Sequence, residues 1–345
     1  MDDGNIAILR GTEVRSLLAG RELEVIEAVR TAYETHGDGD SSLPHSTFLR
    51  FPDQPLDRII ALPAYLGGGS RIAGVKWISS FPENLQHGVD RASAVLILNS
   101  LETGRPEAVL EGSVISAKRT AASAALAAKC LLGNGDAGLV GRVGLIGCGL
   151  INFEIARFLR AVFPSVETLI LFDKDQGRTK QFEEKCRRTF GRVGIESAED
   201  VNAVLRSSAL TSIATTALEP YIDDVSAAPR KGVILEISLR DMTPDAILSC
   251  DNVVDDIDHV CRAQTSVHLA EQQVGHRGFI RCTLSDILSG RAPARNGSGT
   301  VSVFSPFGLG ILDLAVGKLV RDLALQQGLE TVIGSFLPGP WTEEA

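Results

Sequence analysis

The sequence predicts an α/β protein whose doubly wound parallel sheet occupies the middle of the chain, between two parts of an outer α+β domain. Short apolar runs alternate with helical segments after Gly141, and closely spaced strand-like runs precede it. The 345 residues exceed one typical domain, so two are expected. The predicted outer domain comprises residues 1–130 and 305–345, and the middle domain comprises residues 131–304.

The outer domain is predicted to begin with a helix over residues 12–36, where apolar residues recur at three- and four-residue steps. Strand-like runs then lie close enough together to form a mostly antiparallel sheet: 45–51, 58–62, 72–79, 92–99 and 107–111. Ser116 is predicted to cap an alanine-rich helix over 117–132 that ends at Gly133. A last helix over 310–327 has one strongly apolar face and is expected to pack back on this domain.

The middle domain is predicted to start with a strand over 142–146, a glycine-containing turn and a helix over 153–163. A second strand over 168–172 ends at Asp173. Further apolar runs alternate with helical or loop segments, at 209–214, 232–237 and 252–254, and residues 291–300 are predicted to be a loop. Alternation of this kind is typical of a parallel, doubly wound sheet.

Composition excludes some classes of function. A net charge of −9 argues against nucleic-acid binding, which needs a basic surface, but it allows an anionic small-molecule substrate. The sequence contains no apolar run long enough to span a membrane and no signal-peptide pattern at its start, so a cytoplasmic protein is expected. The six cysteines form no C-x-x-C pair; we expect reduced thiols and no metal site.

The turn after the first middle-domain strand favours a dinucleotide. In the run GCGLIN, Gly147 permits a tight turn, and Gly149 lets the backbone approach a pyrophosphate at the start of the following helix. Asn152 stands where the usual pattern has glycine or alanine; it could cap the helix or contact phosphate. Asp173 follows Gly149 by 24 residues, which suits a ribose-binding acid and favours NAD over NADP. The alternative is a nucleotide-free α/β domain in which Asp173 only starts a turn.

Cationic residues occur in apolar parts of the outer domain. Lys76 lies in a nearly all-apolar strand, Arg119 lies near the start of the alanine-rich helix, and Arg50 and Arg91 flank other strands. Each could extend its charged group to the surface. For Arg119, a helix N-terminus disfavours a guanidinium, so we expect a carboxylate nearby.

Four elements together carry a family resemblance: the G-x-K strand, the ISAKRTAASAAL helix start, the LIGCGLINFEI turn and the LRD segment. They resemble the ornithine cyclodeaminase/mu-crystallin family over nearly the whole chain. The phrases VKWISSFPENLQHG and RASAVLILN resemble the branch that forms 2,3-diaminopropionate for siderophores and peptide antibiotics. The resemblance implies a Rossmann-type domain inserted in a dimerising β domain, with NAD as the cofactor.

The resemblance also implies roles for individual residues. It gives catalytic roles to Lys76 and Asp241, and it makes Arg119 the clamp on the substrate carboxylate. The other implied substrate-binding residues are His45, Arg50, Arg91 and Ser93, and the implied cofactor-binding residues are Thr120, Gly147, Gly149, Leu150, Ile151, Asn152, Asp173, Thr215, Thr216 and Ser238. Two departures, His45 in place of a frequent arginine and a missing lysine near Ser305, put ornithine in doubt. Arg50, Arg91 or Arg240 could compensate toward a more anionic substrate.

The resemblance to this branch implies the NAD-dependent cleavage of N-(2-amino-2-carboxyethyl)-L-glutamate to 2,3-diaminopropionate and 2-oxoglutarate. Hydride would leave the glutamate α-carbon, and water would hydrolyse the resulting imine. Three alternatives stay open: an ornithine cyclodeaminase, a ketimine reductase, and a non-catalytic cofactor-binding protein. The expected partners are the small anionic substrate and a second copy of the chain, with no nucleic acid and no membrane.

Overall fold

A computed structural model describes residues 4–136 and 140–339. The chain forms two compact units: one comprises the chain up to Arg119 and again from Leu309, and the other is Thr120–Gly308. We call them the flanking unit and the central unit, after their places in the chain. The sequence-based boundaries at 130/131 and 304/305 stay a prediction, and the predicted ends at 1–3 and 340–345 lie outside the described residues.

The flanking unit combines one mixed sheet with helices. Within the described residues its eight strands are β1 (Ile6–Leu9), β2 (Ser41–Ser42), β3 (Thr47–Phe51), β4 (Gln54–Leu66), β5 (Ile72–Ser80), β6 (Ala92–Asn99), β7 (Pro106–Glu111) and β16 (Thr331–Ile333). The helices that begin in it are α1 (Gly11–Leu17), α2 (Glu22–Gly37), α3 (Ser113–Asp136) and α11 (Gly310–Gln327), with a 3₁₀ segment at Pro82–His87.

The sheet of the flanking unit is mostly antiparallel, as predicted. Its strand order is β16-β1-β7-β6-β5-β4-β2, β3 pairs with β4, and β1 with β7 is the parallel pair. Helix α11 packs on α2 and on the sheet, which confirms the predicted docking of the last helix. The approach is close, because a Cβ added at Gly317 would meet the Leu96 side chain at 2.3 Å.

Two helix predictions for this unit need correction. The predicted helix over 12–36 is two helices, since the chain turns at Gly20, whose φ is +71°. Helix α3 begins at Ser113, so the predicted cap at Ser116 is wrong: the Glu111 carboxylate accepts from the N–H groups of Ser113 (2.7 Å) and Val114 (3.1 Å). Gly133 interrupts α3 with a φ of +70°, as expected of a glycine stop.

The central unit contains a fully parallel sheet. Within the described residues its strands are β8 (Arg142–Ile146), β9 (Thr168–Phe172), β10 (Gly194–Ser197), β11 (Leu210–Ile213), β12 (Val233–Glu236), β13 (Asp251–Val254), β14 (Ile280–Thr283) and β15 (Ser302–Ser305). Its helices are α4 (Leu150–Val162), α5 (Gln176–Phe190), α6 (Val201–Ser207), α7 (Pro244–Leu248), α8 (Ile257–Val260), α9 (Ser266–Val274) and α10 (Leu284–Leu288).

The strand order of this sheet is β10-β9-β8-β11-β12-β15-β13-β14, with every pair parallel. The order reverses between β8 and β11, the point at which doubly wound sheets bind ligands beyond their carboxyl ends. The predicted fold class is therefore confirmed. Strand β15 was not predicted; its four buried residues lie between β12 and β13. No helix among the described residues has both the length and the apolarity needed to cross a bilayer.

Candidate active site

A buried carboxylate joins two of the predicted cationic residues in the flanking unit. Asp313 on α11 accepts from Lys76 Nζ at 2.7 Å and from Arg119 Nε at 3.1 Å, one bond to each oxygen. Lys76 also donates to Ser116 Oγ at 3.2 Å. All three charged side chains are buried. The alternative that Lys76 and Arg119 extend their charged groups to the surface is therefore wrong. The carboxylate expected beside Arg119 is Asp313.

This arrangement holds two cations with one anion, and it changes the acidity of the lysine. Burial first, and then the charge of Arg119, lower the pKa of Lys76 to about 8, while Asp313 opposes the shift. The trio carries one excess positive charge when Lys76 is protonated, which suits the binding of one carboxylate from outside. Sequence reasoning missed Asp313; its signal was an acidic residue on the apolar face of the last helix.

The glycine turn of the central unit has the geometry that a pyrophosphate needs. Gly147 has a φ of +92°, and a Cβ there would lie 2.3 Å from the backbone oxygen of Ala214, so only glycine fits. Gly149 caps α4 in an extended conformation, and a Cβ there would meet no heavy atom within 4 Å. Directly after Gly149, the first turn of α4 contributes the backbone N–H groups of Leu150, Ile151 and Asn152.

Asn152 is committed to the turn itself. Its side chain is fully buried, and its amide nitrogen donates to the carbonyl oxygens of Ile146 (2.8 Å) and Gly147 (2.7 Å). Its side-chain oxygen accepts from the Ser212 hydroxyl at 2.8 Å. The side chain therefore neither caps α4 nor points to a phosphate; it fixes the end of β8 to β11.

Asp173 lies beside the same turn, at the end of β9. One oxygen accepts from the Cys148 N–H at 2.8 Å and the other from the Asp175 N–H at 2.9 Å. A carboxylate at this position is the usual partner of the adenosine ribose in a doubly wound dinucleotide site. Burial, followed by the charge of Asp173, raises the pKa of the Cys148 thiol to about 12, so this cysteine stays neutral.

A second cluster at the carboxyl end of this sheet contains Asp241. Its carboxylate accepts hydrogen bonds from the hydroxyls of Thr215 and Ser238, and Ser238 Oγ accepts from the Thr215 N–H at 2.9 Å. The structure thus brings together three of the predicted site residues, with Thr216 exposed beside them. Asp241 is buried. Burial, and then the nearby Asp241 carboxylate, raise the pKa of Tyr221.

The family model described as "Ornithine cyclodeaminase/mu-crystallin family" matches residues 7–328. The chain belongs to this family. It is 27% identical to N-((2S)-2-amino-2-carboxyethyl)-L-glutamate dehydrogenase of Staphylococcus aureus, over 90% of this chain and 93% of that protein. The resemblance read from the motifs is therefore confirmed.

Solved structures agree in fold. The Δ(1)-pyrroline-2-carboxylate reductase of Thermococcus litoralis, in complex with NADH and L-proline, matches with a TM-score of 0.87 and 25% identity over 94% of this chain and 99% of that one. A dimeric archaeal alanine dehydrogenase with bound NAD matches with a TM-score of 0.83 and 25% identity, over 96% of this chain and 100% of that one.

Arg240, one of the arginines that could compensate for the two departures from the ornithine cyclodeaminase/mu-crystallin family, is bound to backbone carbonyl groups. The Arg240 guanidinium donates to the carbonyl oxygens of Leu218 (3.0 Å), Ala263 (2.8 Å) and Gln264 (2.7 Å). Ala263 and Gln264 have positive φ values of 53° and 57°, so Arg240 holds a strained turn. These contacts give Arg240 a structural role in the turn, and its compensation toward an anionic substrate stays a prediction.

Ser305, near the second departure, binds a buried glutamate that sequence reasoning missed. Glu236 Oε2 accepts from the Ser305 hydroxyl at 2.7 Å, and Oε1 accepts from the Met242 N–H at 3.2 Å. Burial raises the pKa of Glu236 to about 7, against the lowering effect of the Ser266 and Ser305 hydroxyls. A charged residue inside the apolar run VILEIS was the available signal.

The remaining predicted substrate residues lie in or near the sheet of the flanking unit. Ser93 is directly opposite Ser79, and successive strand residues alternate between faces, so both lie on the face opposite to Lys76. The structure does not bring Ser93 to the Lys76 cluster. His45 is exposed before β3, and the exposed Arg50 has its guanidinium 5.4 Å from the ring centre of Phe48. Arg91 donates to Ser80 Oγ at 3.2 Å, on the Lys76 side.

We expect Asp313→Asn to lower the free energy of unfolding by about 3 kcal/mol, because the change leaves two buried cations without their shared anion. Chemical denaturation measures this. The matched control is Asp322→Asn on the same helix, which removes a half-exposed ion pair with Lys318 (2.6 Å) and should cost no more than about 1 kcal/mol. Equal losses in the two variants would contradict the central place given to Asp313.

Glu236→Gln should raise stability more at pH 8 than at pH 5. Folded Glu236 keeps its proton up to about pH 7, whereas the unfolded carboxyl ionises near its ordinary value of 4.5. The folded state binds more protons between these values, so the contribution of Glu236 to stability falls as pH rises through this window and is lost above it. The gain from glutamine at pH 8 should be on the order of 1–3 kcal/mol.

Denaturation curves at both pH values measure the effect of Glu236→Gln. The control is Glu199→Gln, which removes an exposed carboxylate. Its free energy of unfolding should change by the same small amount at the two pH values. A stability difference for Glu236→Gln that does not depend on pH would show that the glutamate is ionised throughout.

Proposed function

We propose that this protein is an NAD-dependent oxidoreductase that cleaves N-(2-amino-2-carboxyethyl)-L-glutamate to 2,3-diaminopropionate and 2-oxoglutarate. The observation that carries the proposal is the buried trio of Lys76, Asp313 and Arg119, with two cations for one anion. A carboxylate of the substrate would balance that charge. The name of the Staphylococcus aureus relative, at 27% identity, supports this choice of substrate.

The proposed cofactor is NAD, and the residues of the central unit fit it. The open space at Gly149 admits the pyrophosphate, and the first turn of α4 supplies N–H donors from Leu150, Ile151 and Asn152. Asp173 would bind the ribose and disfavour a 2′-phosphate. The further proposed cofactor contacts are Thr120, Gly147, Thr215, Thr216 and Ser238. When bound, NAD+ supplies a hydride acceptor.

The protein's own groups would position the substrate and move protons. Lys76 and Arg119 bind the glutamate α-carboxylate and so orient the α-carbon. Asp241, held by Thr215 and Ser238, accepts the proton of the amine or activates the attacking water. Loss of hydride and proton gives a carbon–nitrogen double bond, water adds to that carbon, and the carbon–nitrogen bond then breaks. The sum is substrate, NAD+ and water to 2-oxoglutarate, 2,3-diaminopropionate, NADH and H+.

A second candidate is the reduction of a cyclic imino acid. It is favoured by the likeness to the Thermococcus litoralis reductase, whose structure contains NADH and L-proline, at a TM-score of 0.87. The same carboxylate-binding trio would serve that substrate. A homodimer, a cytoplasmic location and a role in siderophore or antibiotic biosynthesis stay predictions from the sequence and the resemblance.

The reaction is tested with the purified protein, NAD+ and the aminocarboxyethyl glutamate. We expect one NADH for each 2-oxoglutarate, with 2,3-diaminopropionate identified by mass. Proline and ammonia from ornithine without net NADH would select a cyclodeaminase instead. Oxidation of NADH with Δ(1)-pyrroline-2-carboxylate as the efficient substrate would select the reductase.

Gly149→Ala should weaken NAD+ binding roughly tenfold or more and leave stability nearly unchanged, because the added methyl meets no protein atom but occupies the space proposed for the pyrophosphate. Calorimetric titration with NAD+ measures the affinity. Gly69→Ala is the control, since a Cβ at this glycine also meets nothing within 4 Å, and its affinity should be unchanged. An unaltered dissociation constant in Gly149→Ala would place the cofactor elsewhere.

A further inference from the structure

We propose that the Lys76 face of the flanking sheet contains a second carboxylate subsite, centred on Arg91 with Arg58 beside it. It would bind the distal carboxylate of a dicarboxylic amino-acid substrate. The inference rests on the proposed function, in which Lys76 and Arg119 hold the α-carboxylate. It gives Arg58 a role that neither the motifs nor the resemblance supplied, and it identifies what separates this substrate from ornithine.

Strand register places these residues on one face. Lys76, Ile78 and Ser80 alternate along β5, so their side chains share a face. Arg58 is directly opposite Ser80 across the β4–β5 pair. The Arg91 guanidinium reaches the same position, since its Nε donates to Ser80 Oγ at 3.2 Å. Arg58, as the strand partner of Ser80, and Arg91, through its bond to Ser80, are therefore both adjacent to Ser80 on the face that holds Lys76.

Arg91 is a desolvated charge that has no counter-ion within residues 4–136 and 140–339. Its side chain is partly buried, and burial lowers the pKa of Arg91, with no carboxylate contributing to the shift. No ion pair among the described residues includes Arg91. A guanidinium cannot escape by losing its proton, and buried charges in proteins are normally paired. A carboxylate from a ligand would supply the missing partner.

The surface between the two cationic positions is apolar. Ile78 lies between Lys76 and Ser80 on β5, and its row across the sheet consists of Phe48, Ile60, Ile78 and Ala94. The two ends of this strip, Lys76 and Ser80, are four residues or about 13 Å apart along the strand. Binding of one ligand at both ends therefore requires the Arg91 guanidinium to extend from Ser80 along this face toward Lys76. Two carboxylates joined by methylene groups match a cation–apolar–cation surface of this kind.

The cationic row next to it, which contains Arg58 and Ser80 and is joined by Arg91, would discriminate between substrate classes. Ornithine carries a positive charge at its distal end, which Arg91 and Arg58 would repel, whereas alanine and proline have nothing to place there. Arg50 lies directly opposite Arg58 across the β3–β4 pair and adds a third cation to the row.

The test compares Arg91→Gln with Arg91→Lys and with the control Arg15→Gln, an exposed arginine on α1. With aminocarboxyethyl glutamate, we expect Arg91→Gln to raise KM roughly tenfold or more, the effect of losing a charge-assisted hydrogen bond. The kcat and the KM for NAD+ should stay near those of the original chain. Arg91→Lys should restore part of the affinity, and Arg15→Gln should match the original chain.

Binding of L-glutamate and L-norvaline in the presence of NAD+, measured by calorimetry, separates this inference from the proposed function. The two ligands differ in the distal carboxylate. The protein without substitutions should bind glutamate more tightly than norvaline, and Arg91→Gln should abolish this preference. If the chain does not oxidise aminocarboxyethyl glutamate but this preference still depends on Arg91, the reaction is misassigned and the subsite stands.

Two results would overturn the subsite. One is turnover with an unchanged KM and an unchanged glutamate preference in Arg91→Gln. The other is a loss of affinity that accompanies a change of oligomeric state in size-exclusion chromatography, because Arg91 would then pair with a carboxylate of a second copy rather than with the substrate.

Discussion

The Asp313 carboxylate is the contact on which the flanking unit's site depends. It is contributed by α11, while its two partners come from β5 and α3, so a single buried group ties three elements at one point. Two cations packed together without it would repel each other in a medium of low dielectric constant. With one shared anion the pair keeps a net positive charge, and that residual charge is what a carboxylate substrate can use. In the proposed function, the same three charged groups that stabilise the flanking unit also bind the substrate carboxylate.

In the central unit, side-chain hydrogen bonds to the backbone fix the glycine turn. Its glycine turn must leave backbone N–H groups open, yet stay fixed while doing so. Asn152 achieves this from inside, by binding two carbonyl oxygens at the end of β8, and Asp173 achieves it from the side, through the Cys148 N–H. The asparagine that loosened the match to the sequence pattern is thus the residue that makes the turn rigid. Asn152 in place of glycine or alanine therefore changes which atoms hold the glycine turn, and the turn keeps its shape.

The parts of the fold that sequence could predict were those with a local cause. Strands β8 and β9 were placed correctly at both ends, because buried parallel strands are short apolar runs bounded by turn residues. Helix α11 was placed correctly because one apolar face repeats along it. Asp313 and Glu236 were missed, since an acidic residue in an apolar segment looks the same locally whether its partner is water or a distant side chain. The Ser116 cap failed because the helix begins earlier, at Ser113, where the Glu111 carboxylate accepts from the first N–H groups from outside the helix.

Register accounts for the rest of what sequence could not supply. Ser79 and Ser80 are neighbours in the chain, but strand alternation sends Ser79 to the face that carries Trp77 and Ser93, and Ser80 to the face that carries Lys76. A family resemblance can carry Ser93 and Arg91 over together, because they are two residues apart. Strand alternation alone would place residues two apart on the same face. Ser93 pairs with Ser79 on the face opposite to Lys76, whereas Arg91 precedes β6 and its side chain reaches Ser80 Oγ on the Lys76 face. In a sheet that binds ligand on one face, the strand register and the residue at which a strand begins therefore determine which neighbours in the chain can contribute to specificity.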